Sequence, residues 1–100
     1  MITFKLQNGN DDIAVVEFMI DSGVITPEEL RALNPPDPIC EKFADKIVVI
    51  SGKGPIWLYT TLTHFYHCCK AVAINDPRIG WVVTQAHCNT HAVGDVIKIE

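Results

Sequence analysis

The chain has 100 residues, of which 48% are apolar and 20% are charged, and its formal net charge at pH 7 is −4. This length suits one small domain with one core, and the composition excludes a mainly disordered chain. No apolar run approaches the roughly 20 residues that span a bilayer, and the N-terminus lacks the pattern of an export signal. We therefore expect a single domain over residues 1–100, cytoplasmic and without membrane contact.

The acidic residues are concentrated in the first half of the chain. Residues 1–50 contain nine acids and four bases, whereas residues 51–91 contain Lys53, Lys70 and Arg78 against Asp76 alone, together with all four histidines. This distribution suits a small anionic ligand held at one place better than a long duplex tracked over a basic surface. The sequence therefore disfavours DNA as a partner.

The first half predicts a hairpin and a short helix. Residues 2–6 alternate between apolar and polar, residues 8–12 form a turn cluster, and residues 13–18 resume extended structure. Residues 26–29 then supply a capping threonine, a proline in the first helical turn and a glutamate that completes a capping box. The helix that begins there is expected to end at the proline cluster of residues 34–38.

The second half predicts strands around one longer helix. Residues 47–50 are a continuous β-branched run, typical of a strand covered on both faces. A glycine turn at residues 51–55 leads into a helix expected from Ile56 to about Cys69. Further strands are expected at residues 71–74, 81–84 and 96–99, the first two antiparallel across a tight turn. This order predicts an α/β domain, a small Rossmann-like fold with a mixed sheet and short helices.

Three histidines are predicted to meet at one edge of this sheet. His64 and His67 are three residues apart on the helix face opposite its apolar stripe, and His87 follows a strand that runs back toward the same end. Three imidazoles suit a divalent transition metal or an acid–base pair, and solvated histidines are the plainer alternative. The apolar stripe is expected to pack on the sheet and consists of Leu58, Leu62, Phe65 and Cys69.

The glycine turn lies at the opposite edge, where a strand leads into a helix N-terminus. Its backbone N–H groups can cradle a phosphate, with Ser51 adding a hydroxyl and Lys53 a positive charge. The spacing is not that of a P-loop, so nucleoside triphosphate hydrolysis is not supported. An ordinary tight turn that leads into a helix is the alternative interpretation.

The Asp76-Pro77-Arg78 segment follows a buried strand, where open α/β sheets usually bind ligands. Asp76 suits Mn²⁺ or Mg²⁺ and Arg78 suits two-pronged phosphate binding, whereas an ordinary turn would leave Asp76 capping backbone and Arg78 solvated. A helix of about 12 residues spans roughly 18 Å, so this segment and the histidines are predicted at opposite edges. One subunit then holds two half-sites, and a complete site requires a second subunit.

The four cysteines are interpreted as reduced thiols. Neighbouring Cys68 and Cys69 cannot readily pair with each other, and no export signal accompanies them. No CxxC pair occurs, so a zinc site that includes Cys88 is disfavoured by spacing.

Five motifs, in order, resemble the CRISPR-associated Csx-three family, the manganese-dependent ring nucleases of type III CRISPR systems. They are SGKGPIWL at 51–58, HFYH at 64–67, DPRIG at 76–80, QAH at 85–87 and GD at 94–95. The close match covers about half of the chain. Lys53, at a position where the family also has arginine, and the Cys68-Cys69 pair depart from the pattern, and lysine weakens the expectation of bidentate phosphate binding there.

The resemblance implies a CARF-related fold and a cytoplasmic, prokaryotic homodimer. It implies that cyclic tetra-adenylate, or a short oligoadenylate RNA, is bound between dimers that stack head to tail into tetramers or filaments. It implies that the ring is linearised with Mn²⁺, or with Mg²⁺ as the alternative metal. The implied catalytic residues are His64, His67, Asp76 and Arg78. The implied metal ligands are His64, His67, Asp76 and His87. The implied ligand-binding residues are Ser51, Gly52, Lys53, Gly54, Pro55, Trp57 and Arg78.

Two other activities are compatible with the same motifs. One is a non-catalytic sensor or sponge that binds the cyclic messenger, and the other is a manganese-dependent 3′ deadenylating exoribonuclease. For phosphodiester cleavage we assign proton transfer to His67, metal binding to Asp76 and phosphate binding to Arg78, with either a ribose 2′-OH or a metal-bound hydroxide as nucleophile.

Overall fold

A computed structural model describes residues 2–98 and shows a six-stranded mixed sheet whose strands lie side by side in chain order. The strands are β1 Ile2–Asn10, β2 Ile13–Ile20, β3 Ile47–Ser51, β4 Ala71–Asp76, β5 Gly80–Ala86 and β6 Val96–Ile97. Strands β2, β3 and β4 are parallel to one another, and the remaining neighbours pair antiparallel. A 3₁₀ helix, Pro27–Ala32, and an α-helix, α1 (Ile56–Phe65), complete the structure, which confirms the predicted α/β class.

Strand β3 lies in the middle of the sheet, and both of its faces are apolar. Val48 and Ile50 pack with Leu58 and Leu62 of α1 in one cluster, and all four are fully buried. Val49 belongs to a second cluster on the opposite face, which consists of strand residues alone. A continuous β-branched run is typical of a strand that is buried on both faces.

Helix α1 ends earlier than the sequence predicts. It stops at Phe65 rather than near Cys69, because Tyr66 leaves helical geometry and its backbone N–H closes the last turn onto the carbonyl of Leu62. Tyr66 then turns into the core, where its hydroxyl donates to the carbonyl of Pro36 at 2.8 Å. The predicted burial of Phe65 is therefore wrong: Phe65 is 41% exposed and Tyr66 is fully buried in its place.

The remaining predicted elements are present with small differences at their ends. Strand β1 continues through an irregularity between Asn8 and Asn10, which shortens the predicted turn. The helix after Thr26 has the predicted capping box but is of the 3₁₀ type. Strand β6 ends at Ile97, and the last predicted strand residue, Ile99, lies outside the described residues. Within residues 2–98 no helix is both long and apolar enough to cross a membrane.

Candidate functional site

The glycine turn between β3 and α1 has a backbone that requires glycine at its second residue. Gly52 has a φ of 153°, and a Cβ atom placed there would lie 2.6 Å from the carbonyl oxygen of Phe18. The carbonyl of Gly52 accepts a hydrogen bond from the Tyr59 hydroxyl, one turn into α1. Burial raises the pKa of Tyr59, so its hydroxyl stays protonated and able to donate. The Phe18 carbonyl on one side and the Tyr59 hydroxyl on the other therefore restrict the backbone of the turn.

The turn presents donors and a positive charge to solvent. Pro55 is the N-cap of α1 and makes no side-chain cap hydrogen bond; the N–H of Leu58 donates to the Pro55 carbonyl, and the N–H groups of Ile56 and Trp57 remain available to an anion. Lys53 is exposed and forms no ion pair within residues 2–98. Trp57 is half-buried and, with Lys53 and the loop after β2, lines a groove of about 420 Å³. These features suit a phosphate with an apolar group attached.

The Asp76-Pro77-Arg78 turn joins β4 to β5 at the same edge of the sheet. One carboxylate oxygen of Asp76, Oδ1, accepts a hydrogen bond from the backbone N–H of Arg78 at 2.9 Å. The other oxygen, Oδ2, has no hydrogen-bond partner in the described part of the chain. The Arg78 side chain is 89% exposed, with Nε 3.7 Å from Asp76 Oδ1. The ordinary-turn geometry is therefore present, and it still leaves one carboxylate oxygen and the guanidinium tip free for a ligand.

Asn75 is a site residue that the sequence reasoning missed. Strands β3 and β4 pair with Ile50 opposite Ile74, which places Asn75 beside Ser51. The Asn75 side-chain amide donates a hydrogen bond to Ser51 Oγ at 3.0 Å. Its position directly before Asp76 was the available signal, but the link to Ser51 depends on strand register, which the sequence does not specify. The hydrogen bond from Tyr59 to the carbonyl of Gly52 was also missed, because nothing in the sequence distinguishes Tyr59 from an ordinary helix residue.

At the opposite edge, His67 and His87 form a contacting pair. Their ring centroids are 5.0 Å apart and the rings meet edge to face. Two hydrogen bonds fix this arrangement: Gln85 Nε2 donates to the carbonyl of His67 at 3.1 Å, and the backbone N–H of His87 donates to the carbonyl of Lys70 at 2.9 Å. The sequence predicts that all three histidines meet here, whereas the structure brings together His67 and His87 without His64, and His67 lies just after the helix rather than within it.

The third histidine, His64, lies on α1 and lines a separate groove of about 550 Å³ between the helix and β5. All three imidazoles are exposed. The walls of this groove also carry hydroxyl and amide groups from Thr60, Thr63, Thr84 and Gln85.

The two groups of residues lie at opposite ends of the sheet. Ala71 at the start of β4 pairs with Ala86, next to the histidines, whereas Asp76 at its end pairs with Gly80. Six strand residues separate these ends by about 20 Å. Among residues 2–98, no three His, Cys, Asp or Glu side chains lie close enough together to hold a metal ion. One chain therefore brings together Ser51 with Asn75, and His67 with His87, but it does not bring His67 to Asp76.

Two cysteines near the histidine pair have opposite environments. The Thr90 hydroxyl donates to Cys88 Sγ at 3.5 Å and lowers the pKa of that thiol, an effect that nearby Lys70 reinforces. Burial raises the pKa of the Cys69 thiol to about 12, so Cys69 is a packing residue. Cys40 and Cys68 are exposed free thiols.

Comparison with known proteins places this chain in a family. A family model described as CRISPR-associated protein (Cas_csx3) matches residues 18–98. A protein of Aquifex aeolicus (strain VF5), described as uncharacterized, is 44% identical over 101 residues, which cover all of this chain and 90% of that relative. The chain belongs to the Cas_csx3 family. This confirms the resemblance identified from the five motifs.

The Cas_csx3 match includes both edges of the sheet. It begins at the end of β2 and includes the glycine turn, α1, the turn after β4 and the histidine pair, while β1 lies outside it.

Proposed function

We propose that this Cas_csx3 protein is a metal-dependent phosphodiesterase that binds cyclic tetra-adenylate and linearises it, which would switch off signalling in type III CRISPR defence. The observation that carries the proposal is the division of the site: a phosphate-binding turn with Asp76 and Arg78 at one sheet edge, and the contacting His67 and His87 at the other. A ligand with several phosphates suits this division, because two copies of the chain can hold it from opposite sides.

The groups at the turn provide binding and charge stabilisation. Lys53, the Ser51 hydroxyl and first-turn N–H groups of α1 would contact nonbridging phosphate oxygens, and Arg78 would add a guanidinium fork. In the cleavage step, negative charge that develops on the phosphate is stabilised by the same cations. These contacts are made to phosphate oxygens and do not distinguish one base from another, so recognition of adenine would require the apolar surface beside Trp57.

The histidine pair provides proton transfer. In the proposed reaction His67 takes the proton of the attacking hydroxyl as the new phosphorus–oxygen bond forms. The protonated His67 then returns a proton to the leaving oxygen as the old bond breaks. The attacking group is a ribose 2′-OH or a water, and these two cases give different product ends. The neighbouring His87 ring limits the orientations open to His67.

The residues of one chain do not fit a complete metal site, because no three potential ligands cluster within residues 2–98. We therefore propose that Mn²⁺, or Mg²⁺ in its place, is held by His87 of one subunit together with Asp76 of the next, which leaves His67 free to transfer the proton. His64 lines a separate groove and is not expected to join them. Both metals accept a carboxylate ligand, and imidazole favours Mn²⁺ of the two.

The experiment that tests this function is chromatography of cyclic tetra-adenylate after incubation with the protein, with Mn²⁺ and with EDTA. We expect a linear product in Mn²⁺ and intact ring in EDTA. In His67→Ala, the rate should fall by about 10²-fold or more, the usual contribution of an acid–base residue, while binding of the ring in EDTA is retained. Unchanged cleavage in this variant would remove His67 from the mechanism.

A binding protein without catalysis is the second candidate, and the absence of a metal cluster within one described chain is the observation that favours it. It predicts that the intact ring is recovered after long incubation with stoichiometric protein and Mn²⁺. The deadenylating alternative predicts instead that linear oligoadenylate ends are shortened faster than the ring is opened.

A further inference from the structure

Asn75 is a half-buried residue whose amide the proposed chemistry does not yet use. Its Nδ2 atom donates to Ser51 Oγ at 3.0 Å. Its Oδ1 atom is shielded from solvent and has no hydrogen-bond partner among the residues that the structure describes. A buried acceptor without a partner destabilises the fold, so an apolar side chain would serve packing better at this position.

Strand register holds the pair in place. Ile50 and Ile74 face α1, so the next residue of each strand, Ser51 and Asn75, points to the opposite face of the sheet. Asn75 also lies opposite Trp81 of β5, a half-buried residue of the second apolar cluster. The Oδ1 atom is thus shielded from solvent, and the hydrogen bond to Ser51 links Asn75 to the ligand-binding turn.

The direction of this hydrogen bond determines what the Ser51 hydroxyl can do. A serine hydroxyl has one hydrogen to donate and two lone pairs that accept. Because the Asn75 amide donates, it occupies a lone pair of Ser51 Oγ and cannot accept the hydroxyl hydrogen. That hydrogen is then available to another acceptor, and a phosphate oxygen offers only acceptors.

We propose that Asn75 is a positioning residue, which holds the Ser51 hydroxyl as an outward donor to a phosphate oxygen of the ligand. The inference rests on the proposed function, which places a phosphate of an oligoadenylate at the glycine turn. It assigns to Asn75 a role in affinity that is exercised entirely through Ser51.

The test measures affinity for cyclic tetra-adenylate by calorimetry in EDTA, and KM and kcat for its cleavage in Mn²⁺. Asn75→Leu removes the donor at similar volume and should weaken binding about five- to tenfold, the usual effect of one hydrogen bond, with KM raised and kcat retained. Ser51→Ala should weaken binding by a similar factor. The double variant should bind no more weakly than Ser51→Ala alone.

Two further variants separate this role from packing. Thr61→Val is the matched control, because it removes a partly buried hydrogen bond from Thr61 to the carbonyl of Trp57 without touching Ser51, and it should keep wild-type affinity. Asn75→Asp keeps the shape of the side chain but, when ionised, offers only acceptors, so it should capture the Ser51 hydrogen. It should bind more weakly than Asn75→Leu, including at high salt, where its charge is screened.

The possible outcomes are distinct. If the wild type binds the ring and Asn75→Leu binds it equally well, the role of Asn75 is overturned and the proposed function stands. If the double variant shows the product of the two single effects, Asn75 acts independently of Ser51 and the proposal is likewise overturned. If the wild type does not bind the ring, the proposed function and this inference both fail.

Discussion

Tyr66 shows how one residue links the core to the loop that precedes β3. It is among the largest fully buried side chains, and its hydroxyl donates to the carbonyl of Pro36 across 30 residues of sequence. Burial raises the pKa of Tyr66, with smaller contributions from Cys69 and Asp37. The buried phenol is therefore a structural group whose protonation the fold depends on.

We expect stability to fall at alkaline pH because of Tyr66. In the unfolded chain its phenol ionises near the ordinary value of 10, whereas the folded-state pKa is higher. The stabilising contribution is thus fully present below pH 10 and is lost as the pH rises above it. At pH 7, the free energy of unfolding of Tyr66→Phe should be about 1 kcal/mol lower than that of the wild type, because the hydrogen bond is missing. When the pH is raised from 9 to 11, the variant should lose less unfolding free energy than the wild type does. Urea unfolding at both pH values measures this, and equal losses would contradict it.

At the residue scale, the sequence could predict side chains that carry charge or an ionisable group, and it could not predict those that act through them. The sequence shows which side chains could bind a ligand or transfer a proton, namely those of Ser51, Lys53, Asp76 and the histidines. Asn75 is a common strand-end residue in the sequence, and its link to Ser51 exists only because β3 and β4 pair in one particular register.

The turn and helix between β3 and β4 form the element on which the candidate site depends. Its start was predictable, since glycine followed by proline marks a tight turn before a helix. Its end was not predictable. Helical periodicity continues the apolar stripe through Phe65, whereas in the structure Tyr66 is the residue that is buried. Tertiary contacts thus override a helical pattern at the end that carries His67.

Gly52 should be the least replaceable residue of this element. Gly52→Ala combines an unfavourable φ of 153° with a 2.6 Å approach to the Phe18 carbonyl, so the backbone must shift. We expect a loss of unfolding free energy of about 2–4 kcal/mol, the sum of backbone strain and overpacking. Weaker binding of cyclic tetra-adenylate should accompany it.

Gly94→Ala is the matched control for this prediction. Gly94 also has a positive φ, 98°, but a Cβ atom there would meet nothing within 4 Å. We expect only the strain contribution of about 1 kcal/mol, and unchanged ligand binding. Equal losses of stability in the two variants, measured by urea unfolding, would show that the contact with Phe18 is relaxed at little cost.

For the whole molecule, the division of the site into two edges leads to a complementation test. We expect His67→Ala and Asp76→Ala each to be inactive in ring cleavage, and an equal mixture to recover activity. With random head-to-tail assembly, about one junction in four would pair an intact histidine edge with an intact Asp76 edge. Each variant at the same total protein concentration is the control. A mixture as inactive as its components would place the whole reaction within one chain or one dimer.

The architecture of the whole molecule was largely predictable, because buried β-branched runs, turns and caps mark each element in order. The separation of the two half-sites followed from the lengths of a helix and a strand. The proposed contact between subunits has no such signal, since complementary surfaces leave no periodic pattern in one chain.

The side-by-side arrangement of the strands in chain order also has a consequence for folding kinetics. The three antiparallel ladders join strands that are separated by at most nine residues, so these ladders form by closing short loops. The exceptions are the two parallel crossovers, residues 21–46 between β2 and β3 and residues 52–70 between β3 and β4. We expect the longer crossover, residues 21–46, to close more slowly, because the entropic cost of closing a loop grows with its length.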